Sequence, residues 1–267
     1  MVRWKQNLLA TVVLCLLAGP ALAQADKPLP QVLIIGDSVY SQHTRDVSKL
    51  LKDKAQVVHA IWNPEEIADT ATTIELLDRH LGRIDRSGNP VDEAKWPKWD
   101  LIHFNCGLGD LLHRMPGLKQ FRVLPYTAGG VVNTPVEQYA KNLETLVQAL
   151  KTKAPKAKLV WGSTTPIRAS SSQVFNKGME IEYNAAAATV MAKHRVPTND
   201  MYIFVKYLIN MDKPAGHGAD PFHFDKKPIH MPIVRVIEQA FGLPAMPESE
   251  EEKVVREAQE KPAPTQG

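Results

Sequence analysis

Four short apolar runs, each closed by polar or turn-forming residues, constrain this chain more than any other feature. They are Gln31–Ile35 (QVLII), Ala55–Trp62 (AQVVHAIW), Leu101–Phe104 (LIHF) and Lys158–Trp161 (KLVW). Runs this short and this continuously apolar suit strands buried on both faces, as in a parallel sheet. Helical patterns lie between and after them, over 44–51, 70–81, 134–150, 182–193, 201–209 and 227–241, with Gly242 as a natural stop for the last. In the 134–150 segment, Tyr139, Leu143, Leu146, Val147 and Leu150 fall on one face. Its start predicts Thr134 as cap, Pro135 at the first helical position and Glu137 completing a capping box. Strands alternating with helices define an α/β architecture with a mainly parallel sheet and right-handed crossovers. In such sheets ligands bind beyond the carboxyl ends of the strands, so the residues that follow each run are the ones to inspect.

The N-terminus predicts the compartment. Arg3 and Lys5 precede an apolar stretch from Leu8 to Leu17, and Ala21-Leu22-Ala23 supplies a small-x-small cleavage pattern. This is the three-part form of a secretory signal peptide, cut after Ala23. The apolar stretch is short for a membrane span, which needs about 20 residues, and an uncleaved anchor is the alternative. No second apolar run of spanning length follows. The chain is therefore expected to be secreted or periplasmic, with residues 24–245 as one catalytic-size α/β domain. From Met246 onward glutamate and proline dominate, and residues 246–267 read as an acidic disordered tail. The 112–132 stretch, with its Gly and Pro, reads as a long loop over the active-site face.

Charge and cysteine usage narrow the function. The chain has 32 basic and 29 acidic side chains, a balance that argues against nucleic acid as the main partner. Beyond the leader only Cys106 remains, so no intrachain disulfide is expected and the thiol is read as buried filler.

Two motifs carry chemistry. The first run leads directly into Gly36-Asp37-Ser38, which places a serine at a strand-to-helix turn, facing free backbone amides. A Gly-Asp-Ser turn also serves simply as a helix cap. Far along the chain, Asp220-Pro221-Phe222-His223 sets a carboxylate three residues before an imidazole. A serine nucleophile needs a base, and the base needs a carboxylate to hold its tautomer. The same tetrapeptide also reads as turn-capping Asp residues beside a surface His. His217, Asp220, His223 and Asp225 crowd together, but without the sharp spacing of a metal-ligand set.

Together the two motifs are far more specific. Residues 32–242 resemble the SGNH hydrolases, also called the GDSL esterase family, which place Gly-Asp-Ser after the first strand and Asp-x-x-His before the last helix. The resemblance implies a three-layer, flavodoxin-like α/β sandwich, with Ser38 as nucleophile, His223 as general base and then acid, and Asp220 as its orienting partner. It implies no metal and no organic cofactor, and small acyl esters, acetyl above all, on carbohydrates as substrates. The middle motifs depart from the pattern. The third strand leads into Asn105-Cys106-Gly107-Leu108-Gly109-Asp110. A bacterial branch of the family reads Phe-Asn-x-Gly-Leu-His-Asp there, so Asn105 matches and Gly109 replaces a histidine. In the wider family an asparagine that donates to the oxyanion would stand at Gly109. The same branch has a glycine pair where this chain has Ile67-Ala68. The expected oxyanion donors are thus the Ser38 amide, a backbone amide at Ala68 and the Asn105 side chain. The rival reading is a weak or inactive member of the fold that binds a glycan or a cell-envelope partner. Thr164-Thr165-Pro166 is expected to border the site, Trp96 and Trp99 to cover the core, and His113 to approach the cleft.

Overall fold

The computed structural model describes residues 28–63, 65–118, 122–169, 173–212 and 227–260. The chain enters through β1 (Gln31–Ile35), whose residues from Val32 to Ile35 are almost completely buried. Each such side chain contributes about 1.5–3 kcal/mol by leaving water. The backbone turns at Gly36 and rises at once into α1 (Ser38–Leu50). The helix begins six residues before its apolar pattern does, because Asp37 caps it, accepting the Val39 N–H at 2.8 Å. Gly36 is required here, since a β-carbon would stand 2.6 Å from the Tyr40 ring.

After β2 (Gln56–His59) the predicted single helix is divided into α2 (Thr70–Glu75) and α3 (Leu77–His80), parted at Leu76. Next come β3 (Leu101–Phe104) and the short α4 (Gly107–Leu111). The expected long loop instead contains a small antiparallel hairpin of β4 (His113–Arg114) and β5 (Val131–Val132). The longest helix, α5 (Val136–Lys153), buries the five residues predicted for its inner face. Its predicted capping box does not form, and no side chain caps it. Thr134 is drawn to Asp110 instead: its N–H donates to the Asp110 carbonyl at 3.0 Å and its hydroxyl bonds the Asp110 carboxyl.

The remaining elements are β6 (Lys158–Gly162), α6 (Glu180–His194), β7 (Thr198–Asn199), α7 (Met201–Leu208), α8 (Met231–Phe241) and α9 (Glu250–Glu260). As its sequence suggested, α8 stops at Gly242, which takes a left-handed φ of 62°. The expectation of a disordered tail from Met246 is corrected by α9, which packs on α7 and buries Val255. Arg235 holds this segment in place, reaching Glu252 at 2.6 Å and the carbonyls of Met246 and Pro247 at 2.9 Å. The composition rule failed because the segment packs against α7 and buries Val255, and Arg235 pairs with its Glu252, although Val254 stays exposed.

The sheet is parallel throughout, with strand order β2-β1-β3-β6-β7. The chain moves outward from β1 to β2 and then back across β1 to β3, so right-handed crossovers place α1 on one face and the next helices on the other. The packing agrees: α1 meets α8, while α5 packs against both α2 and α6. This is an α/β sandwich of flavodoxin-like order, whose topological switch point lies between β1 and β3. Among the described residues no helix is long and apolar enough to cross a membrane. The predicted signal peptide, residues 1–23, lies outside the described residues.

Candidate active site at the carboxyl end of the first strand

The switch point puts Ser38 and Asn105, which follow β1 and β3, at the same edge of the sheet. A cleft of about 460 Å³ opens there. Its walls include Gly36, Asp37, Ser38, His59, Trp62, Glu66, Ala68 and Arg86. Ser38 is the first residue of α1 and is exposed, while Asp37 and Val39 on either side are buried. The strand thus delivers the hydroxyl to the cleft at the positive end of a helix dipole. Among the described residues neither the Ser38 nor the Ala68 backbone N–H has a hydrogen-bond partner. Burial pushes the Asp37 carboxyl up to about 6, against the pull of the Val39 and Tyr40 amides.

Asn105 is placed differently from Ser38 and Ala68. Its side chain is 1% exposed and does not line the cleft. Nδ2 donates to the Gly162 carbonyl at 2.7 Å and to Thr164 Oγ1 at 3.1 Å, while Oδ1 accepts the Gly107 N–H at 3.0 Å. A carbonyl acceptor on one side and an amide donor on the other allow only this orientation of the amide. Both of its hydrogens are therefore committed inside the protein, where they tie β3 to β6.

The segment with Ala68 is fixed from below by the Gly107–Asp110 turn. Asp110 is fully buried and its carboxylate accepts the Thr70 N–H at 2.9 Å and the Thr70 hydroxyl at 2.6 Å. Asp69 caps α2 by accepting the Thr72 N–H at 2.7 Å, and takes a second bond from Asn133 Nδ2 at 2.7 Å. Gly109 faces this segment, and a β-carbon on it would lie 2.5 Å from the Ala68 carbonyl oxygen. Cys106 is buried beside them, accepting the Thr73 hydroxyl at 3.1 Å, and burial pushes its thiol far up, so it is no nucleophile.

Sequence reasoning did not single out His59, Trp62, Glu66 and Arg86 as cleft residues. The first two were legible, because His59 ends β2 and Trp62 follows it at the carboxyl edge of the sheet. His59 Nδ1 donates to the Ala60 carbonyl at 2.8 Å, and burial lowers the ring's affinity for a proton. Although burial opposes its ionisation, Glu66 is held below the usual carboxylate range by Arg79 and Asn63. Arg86 has no ion-pair partner among the described residues. Three residues expected at the site stay out of the cleft wall: Thr164 and Thr165 are buried, and His113 turns toward the Val174 carbonyl at 3.0 Å. Trp99 packs on the core, as expected. Asp220 and His223, the predicted triad partners, lie outside the described residues, as do His217 and Asp225.

Comparison with solved structures agrees with this architecture. The chain superposes on the acetyl xylan esterase AlAXEase with a TM-score of 0.53 at 13% identity, covering 79% of this chain and 98% of that one. An acetyl xylan esterase from Geobacillus stearothermophilus gives a TM-score of 0.53 at 14% identity, over 82% of this chain and 97% of that one. The lipase/acylhydrolase from Enterococcus faecalis gives 0.52 at 15% identity, over 82% and 100%. The chain therefore shares the fold of these esterases and acylhydrolases. No protein-family model and no curated protein matches the chain.

Proposed function

We propose that this protein is a serine esterase that removes small acyl groups, acetyl above all, from carbohydrates. The observation that carries this reading is the exposed Ser38 at the start of α1, set in a cleft at the β1/β3 switch point. Ser38 attacks the ester carbonyl while His223 takes its proton, and Asp220 holds the imidazole in the required tautomer. His223 then protonates the departing alcohol, and later activates the water that cleaves the acyl-enzyme. The Ser38 and Ala68 amides, both without partners among the described residues and both in the cleft wall, are the natural oxyanion donors. Asn105 joins them only by releasing Gly162 or Thr164, so its role in this reading is to hold the frame. The aromatic face of Trp62 beside Glu66 and Arg86 suits a polyhydroxylated alcohol. Serine acyl transfer of this kind needs no cofactor. The leader at residues 1–23 supports export, so the substrate is sought in the periplasm or outside the cell.

A second reading has its own support. With Gly109 carrying no side chain and Asn105 committed elsewhere, the donor set is reduced, and loss of one donor costs on the order of a hundred- to a thousand-fold in rate. A glycan-binding protein on the same fold follows if catalysis has been lost.

Hydrolysis of p-nitrophenyl acetate and of acetylated xylo-oligosaccharides by the wild type and Ser38→Ala decides between them. Turnover by the wild type that falls to background in the variant supports the esterase. Equal inactivity, with saturable binding of the oligosaccharide by both proteins, supports the binding reading.

A further inference from the structure

A second cluster of chemically capable side chains lies away from the cleft wall, on the opposite flank of α1. His43 and Asp46 are three residues apart on this helix and so share one face. His230, at the N-cap of α8, comes against them, its ring centroid 6.2 Å from that of His43. One ligand atom from each of the three lies within 4.8 Å of the others, and all three residues are partly open to solvent. Among the described residues no other group of three or more His, Cys, Asp or Glu comes so close together.

We propose that His43, Asp46 and His230 form a divalent-cation site, suited to Zn²⁺, that staples α1 to α8. Two imidazoles and one carboxylate are ligands that zinc and its first-row neighbours accept readily. In a tetrahedral shell with bonds of about 2.1 Å, ligand atoms stand roughly 3.4 Å apart, so side-chain rotations of about an ångström close the set. Three protein ligands leave a fourth position for water. Glu251 and Glu252 of α9 are near enough to act on His230 electrostatically, which adds a negative field favourable to a cation. The ion pair of Asp46 with Lys49 is weak competition, since Lys49 Nζ stands 3.4 Å away on an exposed side chain. The consequence is local. α1 presents Ser38 at its first turn, and a metal bridge about one to two turns further along would fix that helix against α8 and resist its displacement. The site makes no use of the ester chemistry and stands or falls separately from it.

The test uses the full chain, stripped with a chelator and dialysed. Co²⁺ serves as the spectroscopic probe and Zn²⁺ as the competitor. The expected result is one Co²⁺ per chain, with the intense visible absorption of four-coordinate cobalt, displaced by Zn²⁺, and a melting temperature raised by Zn²⁺. His43→Gln, His230→Gln and the near-isosteric Asp46→Asn should each weaken Zn²⁺ binding at least tenfold and leave the metal-free melting temperature close to that of the wild type. Should one histidine variant fail to fold, Asp46→Asn with the other variant decides. The proposal is overturned by the absence of saturable binding to the wild type, or by wild-type affinity in His230→Gln and Asp46→Asn, which would put the metal on other residues.

Discussion

The peptide joining Ala68 to Asp69 lies so close to Gly109 that a β-carbon on the glycine would stand 2.5 Å from the Ala68 carbonyl oxygen and 2.7 Å from the Asp69 nitrogen. Both contacts are with backbone, which cannot swing aside like the end of a long side chain. The missing side chain at position 109 thus has a structural consequence: it admits the segment that carries the Ala68 amide. Replacing Gly109 with Ala should push that segment outward and cost about 1–3 kcal/mol of stability. In the proposed esterase the displacement acts on an oxyanion donor, so kcat should fall at least tenfold with KM little changed. Steady-state kinetics on p-nitrophenyl acetate beside a thermal melt reads both. An unaltered kcat would remove Ala68 from the donor set.

Asn105 separates a positioning role from direct participation. Its amide satisfies the Gly162 carbonyl and the Gly107 N–H at once. Asn105→Ala strands these buried groups, at about 1–3 kcal/mol for each group left unpaired. A drop of several degrees in melting temperature is therefore expected together with the loss of rate. If the rate falls a hundredfold while the melting temperature holds, Asn105 acts directly on the oxyanion instead.

Asp110 predicts a pH dependence of stability with a definite sign. Burial pushes its carboxyl from the usual 3.8 up to about 8, with Thr70 and Thr134 pulling the other way. Between these values the folded chain holds a proton that the unfolded chain has released. Its stabilising contribution is full below about pH 4 and is lost as pH rises toward 8. Asp37, raised to about 6, adds the same sign over the lower part of that window. Asp110→Asn, which keeps an acceptor for the Thr70 N–H, should flatten the slope without abolishing it. Urea unfolding at several pH values between about 4 and 8 measures this, and an unchanged slope would show that Asp110 is ionised in the fold.

Arg235 predicts how far the last helix contributes. It pairs with Glu238, whose side chain is 4% exposed, and with Glu252 on α9. Among the described residues, removing the guanidinium leaves Glu238 with only the Met246 N–H, at 2.8 Å, to support its charge. Arg235→Ala should cost about 2–3 kcal/mol, less than a fully buried pair because Arg235 itself is partly exposed. Truncation after Met246 should lower the melting temperature by several degrees, since it removes the buried Val255 and uncovers the face of α7 on which α9 packs. An unshifted melt in both variants would return the segment to the status of a tail.

The parts of this protein legible in its sequence are those governed by local chemistry. The β1 and β3 runs were found to the residue, and the buried face of α5 was read directly from its 3.6-residue period. Ser38 was picked out because a strand-to-helix turn follows from neighbouring residues alone. What the tertiary structure decided depends on groups distant in sequence. Asp110 claims Thr134, 24 positions away, so the expected capping box gives way to a buried carboxyl that needs donors. Asn105 spends its amide on Gly162, and Gly109 makes room for Ala68, because strands and turns far apart in the chain meet at the switch point. A two-residue β7 and the docking of α9 are likewise invisible to periodicity. A short or mostly charged segment carries too little pattern of its own, and only the surface it lands on determines its structure.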